Sequence, residues 1–118
     1  MPLSKEDVFR KMKQGEVVLL NVLPEEEFEK IHIRGSRNLP LTPDHGAFAQ
    51  AVEKRYGQKR SFITYGADLT CSAGSDAARV LRAHGFEVED YPGGAEEWDQ
   101  VGWPTVGTQT RLALGIPQ

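Results

Sequence analysis

Hydrophobic and polar positions alternate along this chain in blocks that switch between two periods. "VVLLNV" at 17–22 is a continuous apolar, β-branched-rich run, the pattern of a strand covered on both faces, as in a parallel sheet. "SFITY" at 61–65 is a second buried strand, "EVEDY" at 87–91 alternates as a strand does, and Asn38 and Leu39 allow a brief strand before Pro40. Between these blocks the spacing becomes helical. Val8 and Met12 stand four apart in a segment that Ser4 and Asp7 can cap and Gly15 can stop, which predicts a helix over 5–14. Pro24 followed by Glu25, Glu26 and Glu27 opens a short helix to about Lys30, its acids matching the positive end of the dipole. Thr42 and Pro43 open another, with Phe48, Val52 and Tyr56 on one face and Gly57 at its end. Ser75 is the expected cap of a helix burying Ala78, Val80 and Leu81 and closed by Gly85, and Ala95–Val101 forms the last helix around Trp98.

Strands that alternate with helices through short connections imply right-handed crossovers. The expected fold is α/β: a single doubly wound domain over residues 1–105, with a parallel sheet of about five strands and helices on both faces. Residues 106–118 show no strong period and are expected to form a C-terminal surface tail, with one helical turn near Arg111–Leu114.

Charge narrows the class. Fourteen Lys and Arg against seventeen Asp and Glu give a net charge of −3, so no basic field favours nucleic acid or an anionic membrane as partner. The N-terminus is charged and helical rather than leader-like, and no apolar run approaches the roughly 18 residues of a membrane span. One cysteine makes no internal disulfide, and one thiol with three scattered histidines lacks zinc-site spacing. A reducing, cytoplasmic setting without metal is expected.

That cysteine, Cys71, lies between the second strand and the following helix, where doubly wound sheets bind ligands beyond the carboxyl ends of their strands. Unpaired amides and the helix dipole converge there and favour negative charge. Such a setting lowers a thiol from a pKa of about 8.5 towards neutrality, and the thiolate is the nucleophile. The expected cradle around Cys71 is Gly66, Ala67, Asp68, Leu69, Thr70, Ser72, Ala73, Gly74 and Ser75, small residues that let the backbone curl around an anion together with three hydroxyl donors. Asp68 and Asp76 oppose an anion by charge. His32 is expected to fix a turn through its ring nitrogens, and His45 and His84 to lie on the surface.

Three stretches resemble the rhodanese-like domains, best known as sulfurtransferases: "LLNVLPEEEFEKIHIRGSRNLPL" at 19–41, "FITYGADLTCSAGSDAARVLRAHGFEVEDYPGGAEEW" at 62–98, and "GWPT" at 102–105. They follow that family's order of an Asp-Val-Arg-like triplet, an acidic helix, a His-Ile-x-Gly-Ala-x-Asn turn, an active-site loop with an Ala-Ala helix, and a Gly-Gly-x-x-x-Trp element. The resemblance implies a cofactor-free relay. A cysteine takes sulfane sulfur from a thiosulfate-like or persulfide donor and passes it to a thiol, free or on a protein, or to cyanide.

The chain departs from the pattern at its centre. Gly66 stands where the family places its nucleophile, directly after the Tyr65 position, and the loop back from Ala77 and Ala78 is two residues longer and lacks an arginine. Asn21, Leu23 and Ile31 replace the Asp, Arg and Gly that are usual. Two functions therefore stand side by side: sulfur transfer through a Cys71 persulfide, with the amides of 72–75 as cradle and Arg34 or Arg37 as helping cation, or a rhodanese-homology module that binds a protein or anion without catalysis. A Cys-x5-Arg oxyanion loop, as in phosphatases and arsenate reductases, fits poorly because Ala77 occupies the arginine position and Arg79 lies two residues beyond it.

Overall fold

The structure, a computed structural model, describes residues 2–116. The chain opens with helix α1, Lys5–Gln14. The Asp7 amide donates to Ser4 Oγ at 3.2 Å and the Ser4 amide to Asp7 Oδ2 at 3.1 Å, so two orphan donors of the first turn are satisfied reciprocally. Gly15 ends the helix in the left-handed region at φ 74°.

Strand β1 (Val17–Asn21) leads to α2 (Glu25–Lys30), the short strands β2 (His32–Ile33) and β3 (Arg37–Asn38), and α3 (His45–Tyr56). Then follow β4 (Ser61–Tyr65), α4 (Ala73–Ala83), β5 (Glu87–Tyr91), α5 (Gly94–Gln100) and β6 (Thr105–Val106). The central sheet has the order β3-β1-β4-β5 and is parallel throughout. It contains four strands, where about five were expected. β2 leaves the sheet and pairs antiparallel with β6, His32 opposite Val106 and Ile33 opposite Thr105.

The unbroken apolar runs are explained by the two faces they serve, since successive side chains of a strand point to opposite sides. Val18, Leu20, Phe62 and Val88 pack with Phe48, Val52, Val80 and Leu81 of α3 and α4. Leu19, Ile63, Tyr65 and Tyr91 pack on the other face with Val8 of α1 and Trp98 of α5. The sheet is thus covered twice, as the pattern implied.

Helix starts differ from expectation by more than one residue at two places. Asp44 rather than Thr42 caps α3, its Oδ1 accepting the Ala47 amide at 3.0 Å. α4 begins at Ala73, ahead of the expected Ser75 cap; Ser75 lies in the first turn and its hydroxyl donates to Ser72 O at 3.1 Å. Ala73 carries only a methyl and Gly74 no side chain, so this extra turn lies close to the sheet, where a Cβ on Gly74 would stand 2.9 Å from Tyr65 Cα.

The residues after 105 are laid back on the domain instead of trailing from it. The amides of Thr108 and Gln109 donate to the carbonyls of Glu29 and Lys30 at 3.1 and 2.9 Å. Asp99, 6% exposed, accepts from the Thr105 hydroxyl and from the Arg111 amide, and Thr110 is 4% exposed. The expected single turn follows, with the Leu114 amide donating to Thr110 O at 2.9 Å. Residues 117 and 118 of the expected tail, and residue 1, lie outside the described residues. Among those described, no helix is long and apolar enough to cross a membrane.

A buried polar loop ties β4 to β2. The Ile33 amide donates to Tyr65 Oη at 2.9 Å, and Ser36 Oγ donates to Ile33 O at 2.6 Å. Ser36 has one hydrogen, already given, so the 2.7 Å contact between the two hydroxyls is donated by Tyr65. Burial, opposed by hydrogen bonding with Ser36, Asn21 and Ile33, pushes the Tyr65 hydroxyl up from its ordinary pKa, and it stays neutral. Tyr65→Phe is expected to cost about 1–3 kcal/mol, because it strands the buried Ile33 amide and removes the hydrogen bond that Ser36 Oγ accepts. Urea unfolding with an unchanged slope measures this.

Candidate active site

β4 ends at Tyr65 and α4 starts at Ala73, so the seven residues 66–72 form the connecting loop. Its path is set by Asp68. Asp68 Oδ1 accepts the Thr70 amide at 2.9 Å and the Thr70 hydroxyl at 2.7 Å, while Asp68 O accepts the Cys71 amide at 3.1 Å. This doubled turn folds the loop back on itself. The Thr70 hydroxyl first, and its amide next, hold the Asp68 carboxyl below the ordinary carboxylate range, so the turn-forming acceptor stays ionised.

The reversal brings the thiol to the strand end. A Cβ placed on Gly66 would lie 2.8 Å from Cys71 Sγ and 3.6 Å from Cys71 Cβ. The sulfur therefore fills the space that a side chain at position 66 would enter, although it is carried by a residue five positions later. Gly74 is needed for the same closure: a Cβ there would meet Tyr65 Cα at 2.9 Å.

Two further elements clamp the loop. The amides of Ala95 and Glu96, the first turn of α5, donate to Gly66 O at 3.2 Å and Ala67 O at 3.0 Å. The first-turn donors of α5 are thus spent on the loop. Those of α4 are different, because Ser72 at the cap position makes no side-chain hydrogen bond to them. Its hydroxyl donates instead to Asp76 Oδ2 at 2.9 Å, and Asp76 Oδ1 pairs with Arg79 Nη2 at 2.8 Å. The Ser72 hydroxyl and then Arg79 hold the Asp76 carboxyl low. The leading amides of α4, which have no intrahelical acceptor, carry the positive end of the dipole beside the thiol.

Cys71 is half-buried and opens on a cavity of about 240 Å³. Of the expected cradle, Gly66, Leu69, Thr70, Ser72, Gly74 and Ser75 line this cavity with Cys71. Ala67, Asp68 and Ala73 do not: Ala67 faces a second cavity beside α5, Asp68 shapes the turn, and Ala73 packs on the α3–α4 core. Asp90, Tyr91 and Pro92 complete the wall and were not anticipated. Asp90 pairs with Thr64 in the register of β5 on β4, and the Thr64 hydroxyl donates to Gly74 O at 2.6 Å, so both residues lie on the face that α4 covers. The alternation of "EVEDY" was the available signal. Tyr91, buried, donates to Glu97 Oε1, and burial foremost, then Glu97, raises its hydroxyl far above the ordinary tyrosine range.

Arg34 and Arg37 do not serve this cavity. Neither lines it, and Arg37 borders a different one on the far side of β1, where β3 runs in register with Leu20 and Asn21 and two strands separate it from β5. His32 takes the role expected: its Nδ1–H donates to Phe28 O at 2.8 Å and its ring stacks on Phe28 at 3.7 Å. His45 and His84 are exposed.

The architecture and the loop define a parallel α/β domain with a cysteine seated at the junction of a central strand and a helix N-terminus. The Rhodanese-like domain pattern matches residues 4–100, and the chain belongs to that family. It is 30% identical over 102 residues to the HTH-type transcriptional regulator Rv0324 of Mycobacterium tuberculosis, covering 86% of this chain and 43% of that protein. The chain thus spans less than half the length of that curated relative. Similar solved structures include the BH2092 protein of Bacillus halodurans, with 23% identity, TM-score 0.78, and 92% of this chain and 77% of that one covered. Another is the rhodanese-like domain of Alr3790 from Anabaena sp., with 23% identity, TM-score 0.74 and coverages of 92% and 80%.

Proposed function

We propose that Cys71 carries sulfane sulfur as a persulfide and that the domain acts as a sulfurtransferase. The observation that supports this reading most directly is the seat of the sulfur. Cys71 Sγ occupies the side-chain space of Gly66, at the strand end where this family's nucleophile stands. In the first step the Cys71 thiolate attacks the outer sulfur of thiosulfate or of a small persulfide. A new S–S bond forms, the donor's S–S bond breaks, and sulfite or the donor thiolate leaves with the electron pair. In the second step an acceptor thiolate or cyanide attacks the outer sulfur and Cys71 departs as thiolate. The leading amides of α4 stabilise the persulfide anion between steps. No organic cofactor or metal takes part in these steps, and a reducing, cytoplasmic setting suits them.

The cavity wall affects the choice of donor. Asp90 brings a carboxylate and no Lys or Arg lines the cavity, which opposes a dianion such as thiosulfate more than a singly charged persulfide. The same observation counts towards the second reading, a non-catalytic rhodanese-homology module for protein or anion binding, with protein favoured over anion at this cavity, and the similarity to a transcriptional regulator is compatible with it.

Incubation with thiosulfate, or separately with a small-molecule persulfide, followed by intact-mass measurement decides between them. A one-sulfur adduct present in the parent, absent from Cys71→Ser and discharged by cyanide is the expected result. Unmodified protein beside an active control enzyme would leave the binding module.

A further inference from the structure

The cations missing from the thiol cavity are gathered elsewhere. A cavity of about 500 Å³ lies along β1 on its β3 side, bordered by Arg37, Arg55, Arg60 and Tyr56. Arg60 precedes β4 and Val17 begins β1, while Arg37 and Asn38 stand in register with Leu20 and Asn21, so the cavity runs along the free edge of β1 from the amino ends of the strands. From Arg60 the Cys71 loop is one five-residue strand away, at the carboxyl end of β4, roughly 16 Å at the usual rise per residue.

We propose that this cavity is a binding site for a small polyanion carrying at least two phosphate-type groups. Three arginines line it, and no Asp or Glu does. The ion pairs among the described residues involve Lys5, Arg10, Lys11, Lys30 and Arg79, and none uses the side chain of Arg37, Arg55 or Arg60. In a chain of net charge −3 this is a local concentration of like charge left uncompensated, and an anion placed between the cations relieves their repulsion. Arginine presents a planar fork that pairs phosphate oxygens two at a time, so more than one guanidinium suits more than one phosphate group.

The backbone adds to the site. β3 pairs only with Leu20 and Asn21, leaving the first part of β1 without a partner strand on this side. The Leu39 amide donates to Asn21 O, so the odd-numbered residues of β1 turn their polar groups towards β3. Leu19 follows that alternation, which directs its N–H to the cavity that it lines. Tyr56, part-exposed and with its ring edge-on to Phe62 at 6.0 Å, offers a flat wall beside the arginines. The volume lies within the roughly 300–1,000 Å³ of small-molecule sites.

Titration of the whole chain with inorganic pyrophosphate, followed by amide NMR shifts at physiological ionic strength, tests this. Expected are saturable shifts centred on Leu19, Arg37, Tyr56 and Arg60, with residues 66–75 unmoved. Arg55→Gln with Arg60→Gln should weaken binding at least tenfold, whereas Arg79→Gln, beside the thiol loop, should leave it unchanged. The proposal is overturned if the shifts spread over all basic surfaces, if the double variant binds as the parent does, or if a hexaglutamate peptide binds at the same residues more tightly than pyrophosphate.

Discussion

Gly66→Ala is expected to slow sulfur loading at Cys71 by about a hundredfold, the cost of displacing a reacting atom by about 1 Å, while leaving stability within about 1 kcal/mol of the parent. The added methyl would stand 2.8 Å from the sulfur, closer than such atoms approach, whereas its next neighbours, Cys71 Cβ and Ala73 Cβ, lie at 3.6 and 3.7 Å in ordinary contact. The thiol is the movable partner, so it turns out of the strand-end seat. Gly66 has no positive φ, and alanine fits its backbone without strain. The gain from a less flexible unfolded chain, about 0.4–1 kcal/mol, then offsets an off-rotamer penalty of similar size. Single-turnover loading followed by mass spectrometry, alongside urea unfolding, reads the two quantities separately. Loading at the parental rate in a stable Gly66→Ala protein would show that the seat is irrelevant to the chemistry.

The same geometry shows what was legible in the sequence and what was not. Local rules located the strands "VVLLNV" and "SFITY", the Ser4–Asp7 box and the Gly15 stop, because each depends on neighbours a few residues away. The loop composition correctly put small residues and Cys71 together beside a helix N-terminus. The return of the sulfur to Gly66 was hidden, since it follows from the Asp68 turn and from the clamp of Ala95 and Glu96 on Gly66 and Ala67, nearly thirty residues further along the chain. Asp90 was missed for a related reason. Alternation shows that Asp90 and Tyr91 face opposite ways, but only the register against Thr64 shows which of them meets α4. Arg37 was expected beside the thiol because a two-residue strand carries no signal of its place in a sheet, and the pairing of β3 with the outer side of β1, away from β4, decides it. The segment after residue 105 has no period of its own: its order comes from Asp99 and from the carbonyls of Glu29 and Lys30.

Gly94→Ala is expected to destabilise the domain by about 2–5 kcal/mol, the sum of about 1–2 for a left-handed non-glycine residue and about 1–3 for overpacking. Gly94 has φ 68°, and a Cβ on it would lie 2.6 Å from Gly66 O and 2.7 Å from both Ala67 C and Ala67 O. All three are backbone atoms, so no rotamer change relieves the contact. α5 must move away from the thiol loop, and the hydrogen bonds from Ala95 to Gly66 and from Glu96 to Ala67 lengthen or break. α5 itself is held by Trp98, 3% exposed against Phe9 and Trp103, so the strain is transmitted into the core. Gly93→Ala serves as the neighbouring control. Its φ is −62°, and its Cβ would meet the Tyr91 hydroxyl and the Glu97 carboxylate, whose flexible end can swing aside. That change should cost about 1–3 kcal/mol, less than at Gly94, because Glu97 swings aside while the buried Tyr91 ring must shift slightly and its hydroxyl loses that acceptor. Chemical unfolding of both variants checks the order. Equal losses in the two, or a loss at Gly94 below that at Gly93, would show that α5 slides freely over the loop and that Cys71 is not held in place from that side.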